Sequence, residues 1–301
     1  MKKALLLYNP KAGNRQITHE LDVIAKKMQE KGYSLTIYRS DRKYAIRDYI
    51  INYLKEEVID VMLISGGDGT LNECINGMMT IERKIPLLIL PLGTANDFAY
   101  SAQIPSSVEE ALSLLDEGQL KAVDIGKVNG QYFINVCNMG LFSGVSHNID
   151  LELKKKFGKL AYYVKSLEEL QGYKAMDMKI QVDDQTLKGE YALVLVFNGK
   201  AAGGFTKIAK HADIYDGLFD IVCIKKVELY DVPLLFLKTL QGDHLNNPNI
   251  DYLVGKHIEI ECYNDEHHFA TDFDGEVGPR FPLTIDSQHE AIEVYLPALN
   301  D

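Results

Sequence analysis

The stretch VMLISGGDGTLNECINGMM, Val61 to Met79, decides the fold of the N-terminal half. Its opening run suits a buried parallel strand, and Gly66, Gly67 and Gly69 then let the backbone turn tightly with no Cβ in the way of a ligand. Leu71, Cys74, Ile75, Met78 and Met79 follow at spacings of three and four, the period of an amphipathic helix. A helix N-terminus on a glycine loop presents N–H groups and a positive dipole end, so it favours an anion, and phosphate is the obvious candidate. Asp68 projects from that loop. The string is neither GxGxxG nor GxxxxGK[ST], so it is neither the dinucleotide fingerprint nor a Walker A loop.

Working outward, the same grammar repeats. Lys3 to Tyr8 predicts a first strand that breaks into Asn9-Pro10-Lys11-Ala12-Gly13, and Ile17, Leu21, Ile24 and Met28 predict a helix ending at Gly32. Tyr33 to Tyr38 predicts a strand, Tyr44 to Leu54 a helix, and Val58 to Ser65 the strand that enters the glycine loop. Pro86 to Leu92 is a fourth strand, which breaks into Gly93-Thr94-Ala95-Asn96-Asp97-Phe98. Asp68 and Asp97 should therefore sit on one carboxyl-end edge of one parallel sheet, where two acids suggest a metal. A capped helix, with Ser106, Ser107, Glu109 and Glu110 before an apolar run to Gly118, closes this domain at about residue 124.

From Ala122 onward strands dominate. VDIGKV, the Asn129-Gly130 turn and QYFINVCNMG read as a hairpin, and MDMKIQVDD, YALVLVFNG, FDIVCIKK, HIEIECY, HHFATDF, FPLTIDS and AIEVYLP read as further short strands. This is the pattern of an antiparallel β-sandwich over residues 125–301, whose last strand is free to return to the first domain. Helical content is expected near Val145 to Leu170 and Val227 to Leu240, the latter broken at Pro233. No linker separates the domains, so they should be apposed with a cleft between them.

Composition narrows the functions. A net charge of −11 argues against general nucleic-acid affinity, and no window reaches the roughly 18 apolar residues of a membrane span. The start MKKALLLYNP is too short an apolar run for a signal peptide, so a cytoplasmic protein is expected. Cys74, Cys137, Cys223 and Cys262 form no CxxC site and read as buried thiols. His267-His268 has no third ligand at metal spacing and reads as strand surface.

Two glycine and aspartate loops ahead of a β-rich domain suggest a nucleoside triphosphate held by Mg²⁺, which is a layout for phosphoryl transfer. Asp272-Phe273-Asp274-Gly275-Glu276 could supply a carboxylate base, although Asp-Gly is also an ordinary turn signal. His211 to Asp220 puts three carboxylates within eight positions, without EF-hand spacing; it reads as a turn with exposed acids or as an Mg²⁺ or Ca²⁺ site.

NPKAG (Asn9 to Gly13), GGDGTLNE (Gly66 to Glu73), PLGTANDFA (Pro91 to Ala99), ADIYDGLFD (Ala212 to Asp220) and DGE (Asp274 to Glu276), in this order, resemble the soluble bacterial diacylglycerol kinases and their lipid-kinase relatives. GGDGT alone would be weak, since NAD kinases and phosphofructokinases have a similar phosphate loop. The resemblance implies a Rossmann-like α/β domain of the NAD-kinase and phosphofructokinase type, followed by the sandwich, which carries the lipid acceptor. It implies an ATP site lined by Asn9, Pro10, Lys11, Ala12, Gly13, Gly66, Gly67, Asp68, Gly69, Thr70, Leu71, Asn72, Glu73 and Thr94, with Ser40 where the family usually has a hydroxyl residue. Asp68 and Asp97 would hold catalytic Mg²⁺, and Asp213, Asp216 and the Leu218 carbonyl a structural Mg²⁺. Asp274 and Glu276 match the catalytic acids, with Glu276 favoured as the base; the family's LDGE reads Phe273 to Glu276 here.

The implied activity is transfer of the γ-phosphate of ATP to the hydroxyl of diacylglycerol or a related lipid alcohol, at the inner face of the membrane. A soluble acceptor such as NAD, or a nucleotide-binding regulator without catalysis, are the competing readings. Lys154 to Lys159 with Tyr162 and Tyr163, and Arg39 to Arg47, are basic segments that could touch anionic headgroups or be solvated helix faces. Exposed sandwich edges leave room for a homodimer.

Overall fold

The computed structural model describes residues 1–13, 16–141, 174–203, 206–228 and 247–298, with single positions between 231 and 242. The basic run Lys154 to Lys159, Tyr162, Tyr163, Pro233 and the helix expected near Val145 to Leu170 lie outside the described residues. The chain divides into two compact units, residues 1–125 with 289–301, and residues 126–288. Among the described residues no helix is long and apolar enough to cross a membrane.

Unit 1 alternates strands and helices: β1 (Lys2–Tyr8), α1 (Ile17–Glu30), β2 (Tyr33–Arg39), α2 (Ala45–Tyr53), β3 (Val61–Gly66), α3 (Asp68–Thr80), β4 (Leu87–Pro91), α4 (Asp97–Ser101) and α5 (Val108–Glu117). The strands pair in parallel in the order β4-β3-β1-β2, which leaves β2 at the edge. Leu5, Leu6, Leu7, Met62, Leu63, Leu87 and Leu88 are at most 1% exposed, as strands covered on both faces must be. α2 packs against α3 because Gly77 lies under Ile50: a Cβ at residue 77 would stand 3.0 Å from that of Ile50. Ser107 caps α5 by accepting from the Glu110 amide at 3.4 Å.

The chain crosses between the units along β5 (Gln119–Val128) and again along β15 (Leu283–Leu296). Unit 2 holds β6 (Gln131–Phe133), β7 (Val136–Gly140), β8 (Met176–Val182), β9 (Gln185–Phe197), β10 (Phe219–Lys225), β11 (Ile250–Gly255), β12 (His257–Cys262), β13 (Thr271–Phe273) and β14 (Glu276–Val277). Among the described residues these strands pair antiparallel. β9 is long enough to serve twice: its first half pairs with β8, and its second half lies between β7 and β10. Val194 and Val196 then point into one apolar layer with Phe219, Ile221, Ile258 and Ile285, while Leu193, Leu195 and Phe197 face another with Ile208, Ala209 and Ala212.

Several local expectations are corrected. FPLTIDS and AIEVYLP form one strand, β15, because no turn residue separates them; Glu290 takes a positive φ (52°) without ending the strand. IDYLVG, unread in the sequence, is β11. His267 closes a short 3-10 turn at Asp265–His267 instead of lying on a strand, and only Thr271–Phe273 of HHFATDF is extended. The thiols of Cys74, Cys137 and Cys223 are buried and that of Cys262 is half-buried, and burial raises the pKa of each.

Candidate functional site

In unit 1, loops leave the carboxyl ends of β1, β2, β3 and β4 on one sheet edge, and all of the candidate nucleotide residues lie on them or on α3. The Asn9 amide donates to the Ser65 carbonyl at 3.0 Å, and its side-chain Oδ1 accepts from the Lys11 amide at 2.9 Å, so Asn9, Pro10, Lys11 and Ala12 are wound into an Asx-type turn. Ser40, buried, donates its amide to the Tyr8 carbonyl at 2.9 Å. Gly13 has a φ of +51°, and a Cβ there would meet the Leu92 carbonyl oxygen at 2.3 Å.

The glycines of the third and fourth loops, after β3 and β4, are packed against each other. A Cβ on Gly93 would stand 2.3 Å from the Gly67 Cα, and one on Gly66 would stand 2.3 Å from the Thr70 hydroxyl. Gly69 is different, with nothing within 4 Å of its missing Cβ. Of the three glycines in GGDGT, the reading that a side chain was omitted to admit a ligand therefore fits Gly69. Gly66 and Gly67 are small so that neighbouring segments can touch. Thr70 and Leu71 donate their amides to the Gly67 carbonyl, and no side chain caps α3.

Asp68 and Asp97 come together. The Asp68 carboxylate accepts from the amides of Asp97 and Phe98, each at 3.1 Å, and so caps the first turn of α4 with the sign its dipole favours. Asp97 itself is 6% exposed. Asn96, in the left-handed region at φ +54°, closes the loop: its Oδ1 accepts from the Gly93 amide at 2.9 Å, and its Nδ2 donates to the Pro91 carbonyl at 2.8 Å. Thr94 stands exposed on the same loop. Asn72 is buried on α3 and accepts from Asn76 Nδ2 at 3.0 Å. Glu73, on the same helix, accepts from the Tyr44 and Ile46 amides with its two oxygens, at 2.8 and 3.2 Å, and caps α2. Leu71 is core.

In unit 2, Asp274 and Glu276 lie on the β13–β14 hairpin, whose turn is Asp274 (φ 50°) and Gly275 (φ 83°). The two acids do different things. Asp274 Oδ2 accepts from the Ile134 amide at 2.6 Å, and Oδ1 accepts from the amides of Asn135 and Val136 at 2.9 and 3.1 Å. Those three bonds occupy most of the roughly four lone-pair sites of a carboxylate. They also explain why the expected QYFINVCNMG strand breaks at Ile134 and Asn135, whose amides face a side chain and not a neighbouring strand. Asn198 holds the break from its other side, donating Nδ2 to the Ile134 carbonyl and its amide to the Asn135 carbonyl at 2.9 and 2.8 Å. Glu276 is half-buried at the start of β14.

The acidic loop also lies in unit 2. Asp213 Oδ1 accepts from the Tyr215 amide at 3.1 Å and Asp216 Oδ1 from the Leu218 amide at 2.9 Å. Among the described residues no three His, Cys, Asp or Glu side chains converge as a metal site, so a cation held by Asp213 and Asp216 would need further oxygens from the backbone. Asp220 is buried beside the loop and accepts from the Tyr252 hydroxyl. Burial first, then Asp216 and Asp213, push its pKa up to about 6 against the pull of His211.

Sequence reading missed three residues at these places. Asn198 and Asn135 had only a weak signal, an Asn at the end of an apolar run. Asp124, a lone acid inside the apolar run of β5, is fully buried in unit 1 and accepts from His289 Nδ1 at 2.8 Å and the Glu290 amide at 2.7 Å.

Comparison with known proteins now adds to the geometry. Residues 3–128 match the diacylglycerol kinase catalytic domain, and residues 136–296 match the YegS C-terminal NAD kinase beta sandwich-like domain. The chain is 32% identical over 296 residues to a diacylglycerol kinase of Staphylococcus saprophyticus, covering 98% of this chain and 96% of that one. It is 30% identical over 302 residues to a diacylglycerol kinase of Bacillus subtilis, covering 99% and 97%. A crystal structure of a diacylglycerol kinase from Bacillus anthracis superposes with a TM-score of 0.78 at 28% identity, over 98% of this chain and 97% of that one.

Proposed function

This chain belongs to the diacylglycerol kinase family, and from that membership we propose that it transfers the γ-phosphate of ATP to the free hydroxyl of diacylglycerol or a closely related lipid alcohol. The observation that carries the reading is the Asp68 and Asp97 pair: one carboxylate organises the turn that begins at the other, beside the open N-terminus of α3 at Gly69. The donor set fits Mg²⁺, since every side-chain ligand offered is a carboxylate oxygen. Asp68 would offer it carboxylate oxygens already oriented by the Asp97 and Phe98 amides. Bound there, Mg²⁺ would neutralise charge on the triphosphate.

The chain's own groups supply the remainder. The Gly69 edge of α3 and the turn Asn9 to Gly13 cradle phosphates with backbone amides and a helix dipole. In unit 2, Glu276 takes the proton of the acceptor hydroxyl as its oxygen bonds to the γ-phosphorus and the bond to the β-phosphate oxygen breaks, giving ADP and the lipid phosphate. Asp274 is the positioning residue, fixing the hairpin that presents Glu276. The acceptor is a membrane lipid, so the enzyme works as a cytoplasmic protein visiting the bilayer surface.

Purified protein with labelled ATP, Mg²⁺ and mixed micelles of diacylglycerol, other lipid alcohols or NAD tests this. Label is expected in the diacylglycerol fraction. Label only in NAD would replace the lipid acceptor with a soluble one, and no transfer to any acceptor would leave a nucleotide-binding regulator.

A further inference from the structure

We propose that the corner formed by the end of β2 and the start of α2 is the surface by which this protein docks on an anionic lipid bilayer; the proposal rests on the lipid-kinase reading and assigns that reading its membrane-facing surface. Residues 39–48 carry Arg39, Arg42, Lys43 and Arg47 against Asp41 and Asp48, a net positive decapeptide in a chain of net charge −11. The acids do not cancel the patch. Asp48 is shared, at 2.8 Å from Arg42 and 3.6 Å from Arg47, and both arginine side chains remain 41% to 62% exposed.

The cations are arranged around an aromatic ring. Tyr44, held at φ +63° at the head of α2 and 38% exposed, has the Lys43 ammonium 5.0 Å and the Arg47 guanidinium 4.7 Å from its ring centroid. An exposed cation–π contact adds little stability. Its consequence is display, because a ring and two charges are presented together. Tyr38 of β2 stacks on Tyr49 of α2 at 4.0 Å, and Tyr49 lies 5.1 Å from Tyr53, which is 65% exposed. Tyrosines with an apolar body and a polar tip, interleaved with lysine and arginine, suit the headgroup layer, where one end is apolar and the other wet.

The patch is also tied to the phosphate loop. Glu73, one turn into α3 from Gly69, caps α2 through the Tyr44 and Ile46 amides. Docking at this corner therefore bears directly on the helix that begins at GGDGT. Arg39 lies at the carboxyl end of β2, the sheet edge from which the nucleotide loops also leave, so a membrane held here is on the side of the sheet where phosphate is handled.

Sedimentation with vesicles of phosphatidylcholine alone, or mixed with phosphatidylglycerol, tests the docking. Wild type should sediment with the mixed vesicles and be released by salt. The double variant Lys43→Gln/Arg47→Gln should partition more weakly on the order of fivefold per charge removed, about 25-fold for the pair, with an unchanged melting temperature. Its turnover of diacylglycerol in neutral detergent micelles should match wild type. Equal binding of wild type to both kinds of vesicle, or unchanged partitioning of the variant, would overturn the proposal. A raised KM for ATP in micelles would also overturn it, by assigning the patch to the nucleotide. Sedimentation needs no catalysis, so absence of lipid phosphorylation would defeat the kinase reading and leave the docking result to stand or fall separately.

Discussion

Removing the carboxylate of Asp274 should cost stability before it costs chemistry, and the structure sets the size of the effect. Asp274→Ala withdraws the acceptor from the amides of Ile134, Asn135 and Val136. A buried donor left unsatisfied costs about 1 to 3 kcal/mol, and a half-buried site that water can partly reach belongs at the low end, giving about 3 kcal/mol for three amides. For a domain the size of unit 2 each kcal/mol is worth about 2 to 4 °C, so the melting temperature should fall by about 6 to 12 °C. Asp274→Asn keeps one oxygen but turns an NH₂ group toward an amide, donor against donor, and should fall by about half as much. Glu276→Gln retains the shape of the β14 residue and should melt within about 2 °C of wild type, since it breaks none of these bonds. Turnover should separate in the opposite sense: loss of a general base removes about 100-fold or more, so Glu276→Gln should be the deeper kinetic lesion for the smaller thermal one. Calorimetry and the labelled-ATP assay on the same preparations decide it. An Asp274→Ala protein that melts like wild type, or a Glu276→Gln protein within about tenfold of wild-type turnover, would refute the division of labour.

The glycines give a second contrast. Gly93→Ala places a Cβ 2.3 Å from the Gly67 backbone and should unfold or severely destabilise unit 1, whereas Gly69→Ala meets nothing within 4 Å. In the ligand-free protein Gly69→Ala should raise stability by up to about 1 kcal/mol, as glycine to alanine does in a helix, while nucleotide titration shows weakened binding. Glu73→Ala should cost about 1 kcal/mol through loss of the α2 cap, seen as a lower melting temperature with the GGDGT sequence intact. His257 has its pKa raised by its hydrogen bond to Asp286 at 2.6 Å and then by the nearby charges of Asp286 and Glu259. A folded-state pKa above the unfolded one stabilises fully below the ordinary histidine value of about 6.5, and that contribution is lost as pH rises through the folded pKa. Asp286→Asn should therefore melt below wild type in mildly acidic buffer and converge with it above neutrality; a constant gap across that window would remove the pair from the account.

The parallel half of the fold was legible because each of its elements is declared twice, by periodicity and by a breaker at the end of each strand. Gly32 after α1, Asn9-Pro10 after β1 and Gly93 after β4 all stand where the chain turns. The antiparallel half was less legible where tertiary bonds overrule local pattern. Ile134 and Asn135 look like strand and are not, because Asp274, 140 and 139 positions away, takes their amides. β15 looks like two strands, because its middle, Ser287 to Glu290, is polar in a strand that enters one unit as it leaves the other. In the candidate site the motif acids could be found from spacing and resemblance, but their tasks could not. Spacing says that a carboxylate is present on a loop, and it does not say which groups occupy its lone pairs.

The groups each carboxylate accepts from distinguish the acids of the motifs. Glu73 gives both oxygens to the cap of α2, and Asp274 gives three bonds to one stretch of backbone. Each is in a motif that suggests chemistry, and each is occupied in building the loop next to it. Asp68 differs from both, because its two oxygens accept from the Asp97 and Phe98 amides that open α4. In the proposed reaction, a carboxylate that fixes the turn bearing Asp97 would keep the two acids at a set separation ahead of Mg²⁺ binding, leaving little reorganisation to the moment of transfer. Asp68→Asn should then fail in two separable ways. It should loosen α4 in the absence of ligands, because one oxygen of the cap becomes a donor, and it should weaken Mg²⁺-dependent nucleotide binding. Hydrogen exchange at the Asp97 and Phe98 amides reads the first effect alone, and unchanged protection there would show that Asp68 serves the cation without building the turn.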